Sequence, residues 1–86
     1  MARYEVFVKP SALKDLEAVG SRKLRQNLAA HIRALADNPR PPECRKLAGG
    51  ERYRIRLGAY RVVYSVEDDC REVLVVKVGH RKDVYR

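Results

Sequence analysis

Cysteine is scarce in this sequence, and its two copies are not arranged in a motif. Cys44 and Cys70 lie far apart, and neither belongs to a C-x-x-C pair. This arrangement provides neither the usual ligand spacing of a zinc site nor the paired thiols of a redox motif. We therefore interpret the two residues as reduced thiols.

Long apolar runs are also absent. No segment approaches the roughly 20 apolar residues that a membrane-spanning helix requires. The first residues, Met1 to Pro10, lack the apolar core of a secretory signal peptide. We therefore expect a cytoplasmic protein without a membrane partner.

The sequence also has no recognisable set of metal ligands. The candidate ligands His31, His80, Asp68, Asp69 and Glu72 do not follow the spacing of a known site. The sequence also contains no internal repeat and no low-complexity segment. We expect neither a metal nor another cofactor.

Acidic side chains are outnumbered by basic ones, with 11 Asp and Glu against 19 Lys and Arg, and the net charge is +8. Such an excess favours polyanionic partners, of which nucleic acid is the first candidate. A solvated basic surface that only aids solubility is the alternative. With 86 residues and 45% hydrophobic content, the chain fits one folded domain over residues 1–86.

The pattern of apolar residues predicts one strand, two helices and then three strands. Gly20 suits the end of the first helix, and Ser21 suits the N-cap of the second, which should end near Asn38. The second helix carries an apolar stripe of Leu24, Leu28, Ile32 and Leu35. The predicted strands are residues 3–8, 51–57, 60–67 and 72–79, and the first helix is residues 11–19.

Residues 39–50 predict an irregular connection, because three prolines lie early in the segment and Gly49-Gly50 lies late. The element order βααβββ indicates an α+β fold. We expect the two N-terminal helices to pack on one face of a mainly antiparallel four-stranded sheet. The opposite face of the sheet would then be free.

Gly58-Ala59 separates two of the predicted strands and suits a two-residue hairpin. Glycine at the first central position is typical of a type II′ turn. This turn fixes the register and predicts one apolar face that packs on the helices. The predicted cross-strand pairs on that face are Leu57 with Tyr60, Ile55 with Val62 and Tyr53 with Tyr64.

The other face of this hairpin is basic. The same register places Arg56 directly across from Arg61, with Arg54 and Arg52 one and two steps further along. Like charges held opposite each other are destabilising, so the pattern indicates an anion-binding face, and guanidinium geometry suits phosphate. A solvated outer sheet face is the alternative, and neither interpretation separates an enzyme from a passive binder.

The register of the last strand depends on the loop that precedes it. If residues 68–70 form a three-residue loop, Lys77 lies opposite Arg61 and Arg81 continues the basic side. The apolar face then gains Leu74, Val76 and Val78. A two-residue loop would invert the strand and place Lys77 on the core face. The alternation around Lys77 favours the first arrangement.

The tail after the last strand brings Gly79-His80-Arg81 and Tyr85 close in sequence. Together with Tyr53-Arg54-Ile55-Arg56-Leu57 and Tyr60-Arg61-Val62-Val63-Tyr64, these residues resemble the RelE branch of the RelE/ParE toxins. The segment order agrees along the whole chain. The resemblance implies a RelE-like fold and a toxin of a type II toxin–antitoxin system. It also implies an endoribonuclease that cleaves messenger RNA at the ribosomal A site and blocks translation.

The resemblance also implies partners. Messenger RNA and the ribosome would be the targets of the toxin. A cognate acidic antitoxin would cover the arginines and neutralise the activity. In the toxin–antitoxin complex, the antitoxin would bind operator DNA.

Residue roles follow from the same resemblance. Arg54 and Arg56 match the basic strand residues of the family, Arg61 matches its hairpin arginine, and Arg81 and Tyr85 match its terminal arginine and tyrosine. Ribonuclease members often have lysine at the first two positions, and arginine is a poor general base because it stays protonated. The expected catalytic residues are Arg56, Arg61, Arg81 and Tyr85. The expected RNA-binding residues are Arg52, Arg54, Lys77, His80 and Lys82.

The implied reaction is attack of a ribose 2′-hydroxyl on its adjacent phosphate, which needs cations and no metal. Tyr85 ranks first for proton transfer by resemblance, and His80 is the alternative because imidazole titrates near neutrality. Two other functions remain open, a ParE-like gyrase-poisoning toxin and a non-catalytic nucleic-acid-binding module. Growth arrest with DNA damage would indicate the former, and RNA binding without cleavage the latter.

Overall fold

The structure is a computed structural model, and it describes residues 3–82. The predicted α+β class is confirmed. The elements are β1 (Glu5–Val8), α1 (Pro10–Glu17), α2 (Arg22–Ala34), β2 (Cys44–Lys46), β3 (Arg52–Leu57), β4 (Tyr60–Glu67) and β5 (Glu72–His80). Both helices contribute residues to one core with the sheet, as the apolar pattern predicts.

The sheet has five strands in the order β1-β5-β4-β3-β2, one more than expected. The additional strand, β2, lies inside the segment that was expected to be irregular, and it pairs antiparallel with β3. Gly49, with φ of 81°, lies in the connection that returns the chain to β3. Among the strands of residues 3–82, β1 alone is parallel to its neighbour, so the sheet is mainly antiparallel.

The hairpin formed by β3 and β4 has the predicted register. Arg56 pairs with Arg61 and Leu57 pairs with Tyr60. Gly58 has φ of 59°, whereas Ala59 is not among the residues with positive φ, which is the pattern of a type II′ turn. The turn chemistry therefore determined the register of these two strands.

The predicted register of β5 is wrong. Gly79 lies opposite Arg61, and Lys77 lies opposite Val63. The preceding turn ends at the pair Glu67 and Glu72, so its loop is one residue longer than expected, and Arg71 within it has φ of 55°. A bulge opposite Val63 and Tyr64 then changes the register again. As a result, the core side chains of β5 are Val73, Val75 and Val78, whereas Leu74 is exposed and Val76 is half-buried.

The second helix begins as predicted but ends earlier. The Ser21 side chain accepts a hydrogen bond from the Leu24 N–H at 3.2 Å, and this satisfies a backbone donor at the start of α2. Helical residues end at Ala34, and Asn38 lies beyond the helix. Leu28, Ile32 and Leu35 of the predicted stripe are buried, and Leu24 packs at the edge of the core.

An ion pair ties the segment after α2 to the turn between β4 and β5. The Arg40 guanidinium donates two hydrogen bonds to the Asp68 carboxylate, at 3.1 and 2.9 Å. Tyr4 donates a third at 2.6 Å. The bond from Arg40 and then that from Tyr4 hold the pKa of Asp68 below its usual value. The carboxylate in turn raises the pKa of the Tyr4 hydroxyl. These contacts join three segments that are distant in sequence.

Tyr64 anchors the same region from inside the core. Its ring is fully buried, and its hydroxyl donates a hydrogen bond to the Pro39 carbonyl oxygen at 2.7 Å. Burial is the main reason that the pKa of this phenol is raised. Tyr53 stacks on the Tyr64 ring with centroids 5.8 Å apart, so both tyrosines serve packing rather than the free face, as predicted.

Candidate nucleic-acid interface

The sheet face opposite the helices carries a band of arginines. The register of β2, β3 and β4 places five of them on this face, and we call the group the arginine face. Its members are Arg45, Arg52, Arg54, Arg56 and Arg61. Four of them were predicted from the sequence. Alternation along each strand keeps their side chains on the same side of the sheet.

Arg45 is the member that sequence reasoning missed. It lies on β2 directly opposite Arg54, and it is exposed. The signal was present, because Gly49-Gly50 can reverse the chain between a basic strand and β3. The Leu47 N–H indeed donates to the Arg52 carbonyl oxygen at 2.8 Å across this connection. This hairpin was not predicted because the prolines earlier in the segment indicated an irregular connection.

Arg56 and Arg61 form the cross-strand pair at the turn end of the arginine face. Arg56 is exposed, and Arg61 is half-buried. The Arg61 Nη1 atom donates hydrogen bonds to the carbonyl oxygens of Gly58 at 2.9 Å and Tyr60 at 3.0 Å. These bonds hold the guanidinium against the backbone of the turn. The arrangement places positive charge at a defined position, which is what recognition of a phosphate requires.

Arg81 is held at the same turn. Its backbone N–H donates to the Ala59 carbonyl oxygen at 2.7 Å, directly after the end of β5. Its side chain is exposed, as is that of Lys82. Three of the predicted catalytic residues, Arg56, Arg61 and Arg81, are therefore brought to one end of the sheet.

His80 lies on the side of the sheet that faces the helices. It pairs with Tyr60, and the two rings meet edge to face with centroids 5.7 Å apart. The Lys82 N–H donates to His80 Nδ1 at 3.2 Å, so this nitrogen acts as the acceptor and the ring proton of the neutral form lies on Nε2. In this tautomer Nε2 can donate a hydrogen bond but cannot accept one.

Lys77 is not beside Arg61, because the register of β5 differs from the prediction. It lies opposite Val63, and its Nζ atom is 3.7 Å from the carboxylate of Asp15 on α1. Both side chains are partly exposed. The predicted extension of the basic band across β5 at Lys77 is therefore wrong in position, and the lysine belongs to the junction between β5 and α1.

At the other end of the sheet face that carries the arginines, the side chains are acidic. Glu5, Glu67 and Glu72 lie side by side across three strands, and we call them the acidic row. Phe7 and Leu74 form an exposed apolar pair next to this row. The sequence did not indicate the row, because its three members meet only through the register of β1, β4 and β5.

Tyr85, the predicted proton acceptor, lies outside the described residues. Within residues 3–82, no group of three or more His, Cys, Asp or Glu side chains is arranged to hold a metal ion. None of the helices in this range is long and apolar enough to cross a membrane.

Known proteins are similar to this chain over almost all of its length. Residues 6–85 match the family described as the ParE toxin of the type II toxin–antitoxin system parDE. A RelE-like toxin protein of Escherichia coli is 33% identical over 87 residues, which cover 96% of this chain and 90% of that protein.

Solved structures share the fold. A chain of the archaeal RelE–RelB complex from Pyrococcus horikoshii superposes with a TM-score of 0.82 at 28% identity, over 98% of this chain and 100% of that one. A chain of the intact RelBE toxin–antitoxin complex from Escherichia coli gives a TM-score of 0.76 at 32% identity, over 90% of this chain and 95% of that one.

Proposed function

Because this chain belongs to the RelE/ParE superfamily of type II toxin–antitoxin toxins, we propose that it is a metal-independent endoribonuclease. In this proposal it cleaves messenger RNA at the ribosomal A site and thereby blocks translation. The observation that carries the proposal is the convergence of Arg56, Arg61 and Arg81 at one end of the sheet. The whole chain, residues 1–86, acts as one toxin domain.

The reaction is an internal phosphoryl transfer within the RNA. The ribose 2′-oxygen forms a bond to the adjacent phosphorus, and the bond from phosphorus to the 5′-oxygen of the next nucleotide breaks. A proton leaves the 2′-hydroxyl, and another reaches the departing 5′-oxygen. Negative charge accumulates on the phosphoryl oxygens in the transition state, where positioned cations lower the barrier.

The arginines divide this task by position. Arg61, oriented by the turn carbonyls, and Arg56 opposite it bind the phosphoryl oxygens, and Arg81 approaches from the end of β5. The remaining members of the arginine face bind the flanking phosphates, with Lys82 at the turn end. Guanidinium groups remain charged at any physiological pH, so these residues stabilise charge and do not move protons.

Proton transfer requires other groups. Tyr85 is the proposed general base by resemblance to the family, and a phenol can act as a base where neighbouring cations lower its pKa. The Nδ1 atom of His80 accepts a hydrogen bond from Lys82, and once Nδ1 has taken up a proton the imidazolium can donate one from Nε2 to the departing 5′-oxygen. His80 is therefore the second candidate for proton transfer, with a different role from that of Tyr85.

An acidic antitoxin is the proposed neutralising partner. The similar structures from Pyrococcus horikoshii and Escherichia coli are RelE–RelB complexes. In this chain the arginine face offers complementary charge to acidic side chains, and a protein that covers it would exclude RNA from the same cations. The antitoxin would also connect the complex to operator DNA.

Poisoning of gyrase is a second candidate function, because the matching family is described as the ParE toxin. A toxin of that kind acts by binding a protein and needs no proton-transfer groups. The arginine face would then contact the protein target rather than RNA. Induction would damage DNA and leave messenger RNA intact.

The deciding experiment is primer extension on ribosome-bound messenger RNA after induction of the toxin. Wild-type protein should produce new 5′ ends within codons at the A site, and the double variant Arg61→Ala, Arg81→Ala should not. Arg33→Ala, an exposed arginine on α2, is the matched control and should cleave normally. Cleavage and growth arrest retained in the double variant would contradict the proposed mechanism.

A further inference from the structure

A polar cleft lies on the helix side of the sheet, where the end of α1 meets β5. Its volume is about 200 Å³. Its polar lining includes Asp15, Lys77, Tyr60 and His80. Val19 and Val78 supply apolar surface. Pockets for drug-sized ligands are larger, at roughly 300–1,000 Å³, so this cleft suits a small planar group.

Each of the two rings that line the cleft is followed in sequence by an arginine. Tyr60 is followed by Arg61, and His80 is followed by Arg81, while Tyr60 and His80 pair directly across the strands. Since neighbouring residues of a strand point to opposite faces, the Tyr60 and Arg61 side chains lie on either side of the sheet end. A nucleotide bound at this end would place its phosphate near the guanidinium groups and its base near the rings.

The ring pair provides a surface for a base. The edge-to-face contact between Tyr60 and His80 fixes the relative orientation of two aromatic planes. Proteins that bind single-stranded RNA commonly stack unpaired bases on such side chains. Stacking alone does not distinguish one base from another, so recognition requires hydrogen-bonding groups at the edge of the cleft.

Asp15 and Lys77 are such groups. Their charged atoms are 3.7 Å apart, and the side chains are 35% and 44% exposed, which describes a loose ion pair. An exposed pair of this kind contributes little to stability, so a ligand can replace its contact at low cost. The carboxylate can accept hydrogen bonds from two donors of a base, and the ammonium group can donate to an acceptor of the same base.

We propose that this cleft binds a guanine base next to the phosphate that is cleaved. Guanine presents adjacent N1–H and N2–H donors, which fit the two oxygens of Asp15, and its O6 accepts from Lys77. Adenine and cytosine each offer one exocyclic amino donor, and uracil offers one imide N–H, so none of them engages both carboxylate oxygens through two neighbouring donor groups. The inference rests on the proposed function, because it assigns the base that accompanies the reacting phosphate.

The test uses the intact protein and four mononucleotides. Titration of ¹⁵N-labelled protein with 3′-GMP, 3′-AMP, 3′-CMP and 3′-UMP reports both the affinity and the location of each ligand. 3′-GMP should bind most tightly, with saturable shifts in the amide signals of Asp15, Ala18 and Gly79. The preference for guanine over adenine should be roughly fivefold to hundredfold, the range for a good bidentate base contact.

Asp15→Asn is the diagnostic variant, because it keeps the size of the side chain but introduces a donor where guanine needs an acceptor. It should lose the guanine preference, whereas the control Asp69→Asn, at an exposed turn position, should keep it. Equal affinity for all four nucleotides would overturn the proposal, as would shifts confined to the arginine face. So would an Asp15→Asn variant that matches Asp69→Asn.

RNA cleavage measured in parallel separates the two proposals. Guanine-selective binding in the cleft without cleavage of any RNA would support the base site and contradict the ribonuclease. Cleavage of RNA without guanine-selective binding would support the ribonuclease and contradict the base site.

Discussion

The Arg61 guanidinium donates a hydrogen bond to the Gly58 carbonyl oxygen at 2.9 Å, three residues earlier in the same hairpin. A carbonyl oxygen carries no net charge, so this bond orients the guanidinium without cancelling its charge. The positive φ of Gly58 shapes the turn that presents this oxygen. The turn therefore both sets the strand register and directs a cation towards the open face.

Arg61→Lys tests whether orientation matters in addition to charge. Lysine keeps the positive charge, but its single ammonium group lacks the planar, forked set of donors that can contact the turn and a phosphate together. We expect RNA cleavage to fall substantially, towards the loss of about 10²- to 10³-fold that removal of a transition-state donor causes. Single-turnover cleavage rates measure this effect. Wild-type rates in Arg61→Lys would show that charge alone suffices.

Arg45→Ala tests the member of the arginine face that the sequence did not reveal. If Arg45 neutralises one phosphate of bound RNA, its loss should reduce the slope of log affinity against log salt by about 0.7. Fluorescence anisotropy with a single-stranded RNA at several salt concentrations measures the slope. Arg22→Ala on α2 is the matched control, and an equal effect from it would indicate only a general dependence on net charge.

Tyr85→Phe and His80→Gln test the assignment of proton transfer. Removal of a positioned general base or acid costs about 10²- to 10⁴-fold in rate. Tyr85→Phe should show a loss of this size while RNA binding is retained, and His80→Gln should show a smaller one. Single-turnover rates across pH measure both. A larger loss from His80→Gln than from Tyr85→Phe would contradict the assignment of Tyr85 as the main proton-transfer residue.

Tyr64→Phe should destabilise the fold without any direct effect on the arginine face. The change leaves the buried Pro39 carbonyl without its hydrogen bond from Tyr64, at a cost of about 1–3 kcal/mol. Urea unfolding should therefore show a lower midpoint. Tyr53→Phe is the control, because it removes only an exposed hydrogen bond from Arg40 to the Tyr53 hydroxyl. Equal destabilisation by the two changes would contradict this account of Pro39.

Asp68→Asn should change how the free energy of unfolding depends on pH. The pKa of Asp68 is lowered in the folded state, so its ion pair with Arg40 stabilises the protein above the unfolded pKa of about 3.9. This stabilisation is lost as the pH falls through the lower folded pKa. Thermal unfolding across this pH range should show a shallower loss of stability in Asp68→Asn than in wild type or Asp69→Asn. Parallel curves for all three proteins would refute the assignment.

The hairpin was predictable because its turn residues determine its geometry locally. Gly58 required a positive φ, and that one requirement fixed the pairing of Arg56 with Arg61. The helix start at Ser21 was predictable for the same reason, since the cap is a contact between neighbours in sequence. The grouping of the hairpin arginines therefore followed from the sequence, whereas that of Arg45 did not.

The position of Lys77 was not predictable, because it depends on two irregularities that no local residue type demands. Arg71 adopts a positive φ that is uncommon outside glycine and lengthens the loop, and the bulge then changes the alternation of β5. Strand β2 was missed because a three-residue edge strand owes its structure to its partner β3 rather than to its own propensity. The contact between Lys77 and Asp15 follows from these tertiary effects.

The acidic row and the Arg56–Arg61 pair lie at opposite ends of the sheet face, and Glu67 and Arg61 are about 20 Å apart along β4, the strand they share. Within residues 3–82, this separation contributes a dipole along β4, in addition to the net charge of +8 of the chain. In the field of a polyanion, a dipole experiences a torque that turns its positive end forward. In the proposed encounter with RNA, the Gly58-Ala59 turn would therefore lead, and the arginines at that end would already face the polyanion. Added salt would slow association by weakening this alignment as well as the overall attraction.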